Sequence, residues 1–209
     1  MAYRRTRLME ERLADNRKRI LRAARGLIAE GGFRHAQIAA VASAAGVSTG
    51  TIYRYFPSKA ELFVEVLTAA VEHEIAVLRE VIAAQPDASA GLQAAVASFV
   101  RRALAGPNLA WAFIAEPAEP EVDAERIRAR RLLGNVFKKV LKDGVASGQF
   151  PRQNLDASAA CIVGAFTEAL VGPIGPSHKS VRDKERLVGA ITAFCLRAVG
   201  VSPVSGDKA

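Results

Sequence analysis

Proline spacing constrains this chain more than any other feature. Pro57, Pro86, Pro107, Pro117, Pro120, Pro151, Pro173 and Pro176 divide it into pieces of helix length. Proline lacks an amide hydrogen and clashes with the carbonyl one turn back, so a helix ends near it unless the proline sits in the first turn. Between these breaks Ala, Leu, Glu and Arg dominate, and no alternating β-branched run appears that would form a half-buried strand. The expected fold class is all-α. Half of the 209 residues are apolar and 24% are charged, which excludes a disordered chain or a fibre. That length suits one compact domain, or one main domain with a small satellite.

A first helix is expected over 12–30, with Leu13, Ile20, Ala24, Leu27 and Ile28 on one face and Gly31-Gly32 stopping it. Short helices should follow over 37–45 and 48–55, separated by Gly46-Val47. Ser58-Lys59-Ala60-Glu61 has the spacing of a capping box, so a long helix should begin there and run to residue 84. Further helices are expected over 88–105, 108–115, 121–147, 155–172 and 181–199, with 201–209 a disordered tail. No apolar run is expected to reach membrane-spanning length, and no apolar signal core follows the basic start Met-Ala-Tyr-Arg-Arg-Thr-Arg. Two cysteines, Cys161 and Cys195, cannot form a metal cluster. They fit a reduced, cytoplasmic chain with no membrane partner.

Charge is distributed unevenly. Residues 1–60 hold 12 of the 29 Lys and Arg but only four of the 21 Asp and Glu, whereas the rest hold 17 of each sign. The whole net charge of +8 therefore lies in the first 60 residues. Such a concentration is the electrostatic footprint of a phosphate-binding module on a neutral body. A basic tail serving solubility or anionic lipid would give the same count.

Ile38 to Phe56 has the pattern of a helix-turn-helix. Ile38, Val41 and Ala42 make a small apolar face, and Gly46 stands where the tight turn needs a left-handed backbone. Val47 and Ile52 are spaced to anchor the second helix, and Ser48 can cap it. Thr49, Gly50, Thr51, Tyr53 and Arg54 then face outward. Hydroxyls reach phosphates or base edges, a Tyr ring meets thymine methyls, and Arg forks onto guanine. A solvated helical hairpin would share the glycine turn.

Over residues 12–62 the pattern is more specific. Gly32-Phe33, Ile38, Val41-Ala42, Ala45-Gly46-Val47-Ser48, Gly50-Thr51-Ile52-Tyr53, Tyr55-Phe56, Ser58-Lys59 and Leu62 form an ordered run. By these residues the chain resembles the DNA-binding region of the tetracycline-repressor (TetR) family of bacterial transcriptional regulators. The resemblance implies about nine helices, with a DNA-binding domain over 1–60 and a ligand-binding and dimerisation domain over 61–200. It implies DNA contacts at Gln37, Ser48, Thr49, Gly50, Thr51, Tyr53, Arg54, Tyr55 and Lys59. Ala36 departs from the pattern, since family members commonly carry a capping Thr at the start of the second helix, and Gln37 is the expected substitute. Lys59 stands in the first turn of its helix, where the dipole disfavours a cation; the resemblance makes it a phosphate contact. Arg4, Arg5 and Arg7 form a basic arm that either follows the DNA or stays free.

In the neutral body, the expected wall of an effector pocket is Phe99, Leu104, Trp111, Phe113, Phe137 and Val140, although such a stripe also serves as plain core. Arg126, Arg128, Arg130 and Arg131 spread around one helix, and one of them can turn inward toward an anionic ligand group. The expected homodimer interface is Ala157, Cys161, Gly164, Ala165 and Glu168 with Leu187, Ala190, Ile191 and Phe194, small residues letting helices approach closely. The alternative is that these two helices are buried within one subunit. His35, His73 and His178 have no metal-ligand spacing, and no nucleophile elbow, phosphate loop or carboxylate pair appears. No catalytic residue, metal or cofactor is therefore expected. The expected function is a repressor released from a palindromic double-stranded operator by a small apolar or acyl-type effector. The competing reading is a ligand-free architectural DNA binder of the same fold.

Overall fold

The computed structural model describes residues 2–176 and 183–201, with side chains from Leu13 onward in the first helix. The side chains of Arg4, Arg5 and Arg7 and the tail 202–209 lie outside the described residues. Among those described there are nine α-helices and no strand. They are α1 (Ala2–His35), α2 (Ile38–Ala45), α3 (Thr49–Tyr55), α4 (Lys59–Ala83), α5 (Ala88–Ala105), α6 (Pro107–Ile114), α7 (Pro120–Ala146), α8 (Leu155–Ile174) and α9 (Lys184–Ala198).

Most of the prolines act as the chain's punctuation, but Pro173 lies inside α8, which runs two residues past the expected end at 172. Pro107 and Pro120 open α6 and α7, the position where a missing amide hydrogen costs nothing. Side-chain caps start α5, α8 and α9: Asp87 accepts from the Ala90 amide, Asn154 from Ala157 and Asp183 from Arg186. Helix α1 begins at Ala2, ten residues before the expected start, and continues to His35 through a kink. At that kink Gly32 has φ 74°. Gly31 is non-helical as well, so the paired glycines break the helix where expected, and a short helical turn follows to His35.

The chain forms two compact units. One comprises Met1–Ala69 with Asn108–Arg126, and the other Ala70–Pro107 with Ile127–Ala209. In the first unit the core is Ile20, Ala24 and Ile28 of α1, Val41 of α2, Ile52 of α3, and Leu62 and Phe63 of α4. Leu13 is 38% exposed, so the buried stripe of α1 starts later than the pattern implied. Phe33 stacks on Phe63 with ring centroids 4.6 Å apart.

The second unit is built on α5, α8 and α9. Phe166 of α8 sits 4.5 Å from Phe99 and 5.5 Å from Phe137, centroid to centroid. By length and composition alone α8 is long and apolar enough to cross a membrane, which corrects the expectation that no such run exists. In the folded unit its Ile162, Val163, Phe166 and Leu170 are buried. The small Ala, Gly and Cys between them gave the run its apolar composition without the look of a spanning segment. Arg101 grips Glu185 through three hydrogen bonds of 2.7–3.1 Å, which hold the Glu185 carboxyl below the usual carboxylate range.

Candidate nucleic-acid interface

The α2–α3 turn is held from three sides. Gly46 has φ 64°, in the left-handed region that glycine enters freely. Around it the Val47 amide bonds the Ala42 carbonyl at 3.0 Å, and the Gly46 amide bonds Ser43 at 3.1 Å. This paired arrangement is a Schellman motif, which satisfies the last carbonyls of α2. Arg19 of α1 adds Nη2 as donor to the Ala45 carbonyl at 2.6 Å. A Cβ on residue 46 would lie 2.8 Å from that same nitrogen, so the turn and the arginine fit only with glycine in place.

Ser48 starts α3. Its Oγ accepts the Thr51 amide at 3.1 Å and lies 2.9 Å from Thr51 Oγ1. Ile52 is fully buried and fixes the roll of the helix. That roll leaves Ser48, Thr49, Gly50, Tyr53 and Arg54 exposed and Thr51 and Tyr55 half-buried. Tyr53 is 51% exposed, unusual for a large ring with no partner ring among the described contacts. One helix thus presents hydroxyls, an aromatic ring and a guanidinium together, without an apolar patch.

The flanking positions frame this helix. Gln37 is the residue before α2 and does not cap it; its amide donates instead to the Arg34 carbonyl at 2.8 Å. Ala36 is fully buried, so it packs where a polar cap was expected. Ser58 Oγ accepts the Glu61 amide at 3.1 Å at the start of α4. Lys59 lays its ammonium over the Phe63 ring at 5.1 Å, with the side chain half-buried. Arg17 stands over the Phe56 ring at 5.4 Å and pairs with Glu65, tying α1 to α4 behind α3. Neither Arg19 nor Arg17 was singled out from sequence, where both read as part of the general basic charge.

Residues 20–66 match the model of bacterial regulatory proteins of the tetR family. The repressor KstR of Rhodococcus jostii is 48% identical over 58 residues, 28% of this chain and 27% of that protein. This match thus spans just over a quarter of that relative's length. KstR2 of the same organism is 30% identical over 151 residues, 70% of this chain and 73% of the relative. The chain belongs to the tetR family. Among solved structures, FadR of Bacillus subtilis in complex with stearoyl-CoA superposes with a TM-score of 0.74 at 21% identity, covering 89% of this chain and 99% of that one. It shares the fold.

In this tetR-family chain the expected pocket residues are divided between the two compact units. Trp111 and Phe113 belong to the unit that carries the helix-turn-helix, while Phe99, Leu104, Phe137 and Val140 belong to the other. Phe137 is fully buried, Leu104 and Val140 are nearly so, and Phe99 packs on Phe166. These act as core. A groove of about 580 Å³ opens in that unit, with Val140 of the expected set in its wall beside Ile82, Ala83 and Val136, and with Arg79, Lys139, Asp87 and Asp143 among its polar residues. Of the four arginines of α7, Arg126 is the one that turns inward, onto backbone carbonyls of its own unit. Of the expected interface residues, Ala157, Cys161, Gly164, Glu168, Ala190 and Phe194 are exposed, and Ala165 and Leu187 are half-buried. Ile191 is buried within the subunit, 6% exposed.

Proposed function

We propose that the chain is a ligand-responsive, sequence-specific DNA-binding transcriptional repressor. The observation that carries the reading is α3, which exposes Thr49, Gly50, Tyr53 and Arg54 inside the family match while Ile52 locks its roll. The basic charge of residues 1–60 supplies sequence-independent attraction to phosphates, and Tyr53 and Arg54 read base edges. Lys59 and Gln37 position the head on the backbone. A homodimer through α8 and α9 accounts for the exposed small residues and for Phe194, which is 53% exposed. Its two recognition helices meet major grooves about 34–36 Å apart, so the operator is an inverted repeat. Such a protein works in the cytoplasm.

The effector is a small molecule with an apolar part and an anionic group. The α4–α7 groove supports the apolar part, through Ile82, Val136 and Val140; of its two cations Lys139 is paired with Asp143 at 2.8 Å, which leaves Arg79 for the anionic group. Ligand and DNA favour different states, and each then weakens the other by the same factor.

Selection of bound fragments from genomic DNA, followed by affinity measurement across a salt series, tests the reading. The expected result is an inverted repeat bound with a steep salt dependence, several counterions being released per dimer. A flat salt dependence, or no shared sequence among the fragments, overturns it. A thermal-shift screen with acyl thioesters and phenols then tests the effector. Tight operator binding with no stabilising ligand would favour the architectural reading.

A further inference from the structure

The unit that carries the helix-turn-helix is discontinuous in sequence, because Asn108–Arg126 packs with residues 1–69. Two polar side chains from this later stretch reach either side of the α1 kink. Asn108, in the first turn of α6, donates to the carbonyls of Ala29 and Glu30 at 3.2 and 2.7 Å. Glu116, just past the end of α6, accepts the Phe33 amide on Oε2 at 2.8 Å in a buried contact. A kink leaves carbonyls without partners before it and amides without partners after it. The α6 segment thus supplies a donor to one side and an acceptor to the other.

The acceptor is itself held in place. Glu116 is only 4% exposed, and a Cβ on Gly32 would lie 2.5 Å from its Oε2, so the left-handed glycine leaves the space the carboxylate fills. Arg126, 7% exposed, donates to the carbonyls of Ala112 and Glu116 and pairs with Asp123. Its guanidinium also lies 5.8 Å from the centre of the Phe33 ring. Arg126 therefore fixes the backbone that carries Glu116 and covers the residue that Glu116 binds. Phe113 of α6 adds a ring 6.3 Å from Phe33.

We infer that Glu116 and Asn108 are positioning residues for DNA recognition: they set the α1 kink, and through it the placement of α2 and α3. Neither side chain faces the groove of a duplex in this role. Their effect passes through the Gly32-Phe33 backbone, which leads directly into α2. The inference rests on the proposed DNA-binding function and names residues that control its geometry.

The test compares Glu116→Gln, Glu116→Ala and Asn108→Ala in the full chain. Amide hydrogen exchange of Phe33, Val41 and Ile52 is read without DNA, and operator affinity is read against random DNA. Glu116→Gln keeps an acceptor oxygen and should stay near wild type in both. Glu116→Ala should speed exchange at those amides at least tenfold while α8 and α9 stay protected. It should also reduce the preference for operator over random DNA about tenfold, leaving random-DNA affinity unchanged. Asn108 is exposed, so Asn108→Ala keeps the chain folded, and should change the same two readouts in the same direction by less. Unchanged exchange in both alanine variants overturns the inference, as does a Glu116→Gln loss equal to that of Glu116→Ala. A wild-type chain with no preference for any sequence would instead refute the DNA-binding reading, and exchange would still decide whether the kink is held.

Discussion

Replacing Gly46 by alanine probes the turn between α2 and α3. At φ 64° an L-residue pays about 1–2 kcal/mol against its carbonyl oxygen. The new Cβ also meets Arg19 Nη2 at 2.8 Å and must push it off the Ala45 carbonyl. A charged hydrogen bond is worth about 1.5–3 kcal/mol, but the end of an arginine can move and this contact is half-exposed, so about 1 kcal/mol is a fair share. The expected loss is about 2–3 kcal/mol. Trp111, the only tryptophan, lies in the same compact unit, so its fluorescence during urea unfolding reports that unit. With a slope of about 1–3 kcal/mol per molar urea, the midpoint should fall by roughly 1 M. Gly46→Asn tolerates the left-handed backbone better and should lose less. In the Arg19→Ala background the Cβ meets nothing, so Gly46→Ala should cost about 1 kcal/mol less there. A neutral Gly46→Ala would refute the strained turn, and strict additivity with Arg19→Ala would refute the clash.

Lys59→Ala should weaken binding to all DNA sequences alike and lower the salt slope, whereas Arg54→Ala should relax preference at one base pair per half-site by about 1–3 kcal/mol; competition with operator variants separates the two, and identical losses would remove Arg54 as a base reader. Burial pushes the Cys195 thiol from 9.0 up to about 11, so the folded state keeps the proton that the unfolded chain sheds. Stability from this site is therefore complete below pH 9 and declines as pH rises through 11, and Cys195→Ala should flatten that alkaline loss in urea melts by up to about 3 kcal/mol. Alkylation at pH 8 should reach the exposed Cys161 in a monomer and spare Cys195, and dimerisation through α8 should slow Cys161; a Cys161 rate independent of protein concentration across the dimer transition would place the interface elsewhere.

What was legible in the sequence was local. Helix α5 runs over the expected residues, and Ser48 caps α3 as its residue type implied, because a cap, a proline and a glycine act within one turn of themselves. The exposure of Thr49, Gly50, Tyr53 and Arg54 on α3 followed from the helical period anchored on Ile52, while Thr51, expected to face outward, is half-buried. Long-range partners left weaker marks. Phe99 and Phe137 were apolar enough for a pocket, but composition does not tell a cavity wall from a core, and both rings pack on Phe166. In α9, period alone could not show that Ile191 turns inward while Phe194, three residues on, stays out.

The α1 kink shows where such reading ends. Gly31-Gly32 announced a break, and the break is there, but its stability comes from residues 76 or more positions later in the chain. Glu116 stands in the run Trp-Ala-Phe-Ile-Ala-Glu-Pro, the one ionisable residue in an apolar stretch. An isolated carboxylate in that setting must find a donor or stay in water, and Glu116 is buried on the Phe33 amide. The same holds for Arg126, whose three neighbours in the basic run are exposed while it alone is enclosed by α6 carbonyls and the Phe33 ring. Polar residues out of keeping with their surroundings were thus the readable signal for the long-range contacts. Following that signal leads to a head whose geometry is set by a segment encoded beyond α5, which is how a helix remote from α3 in sequence comes to govern how α3 is presented.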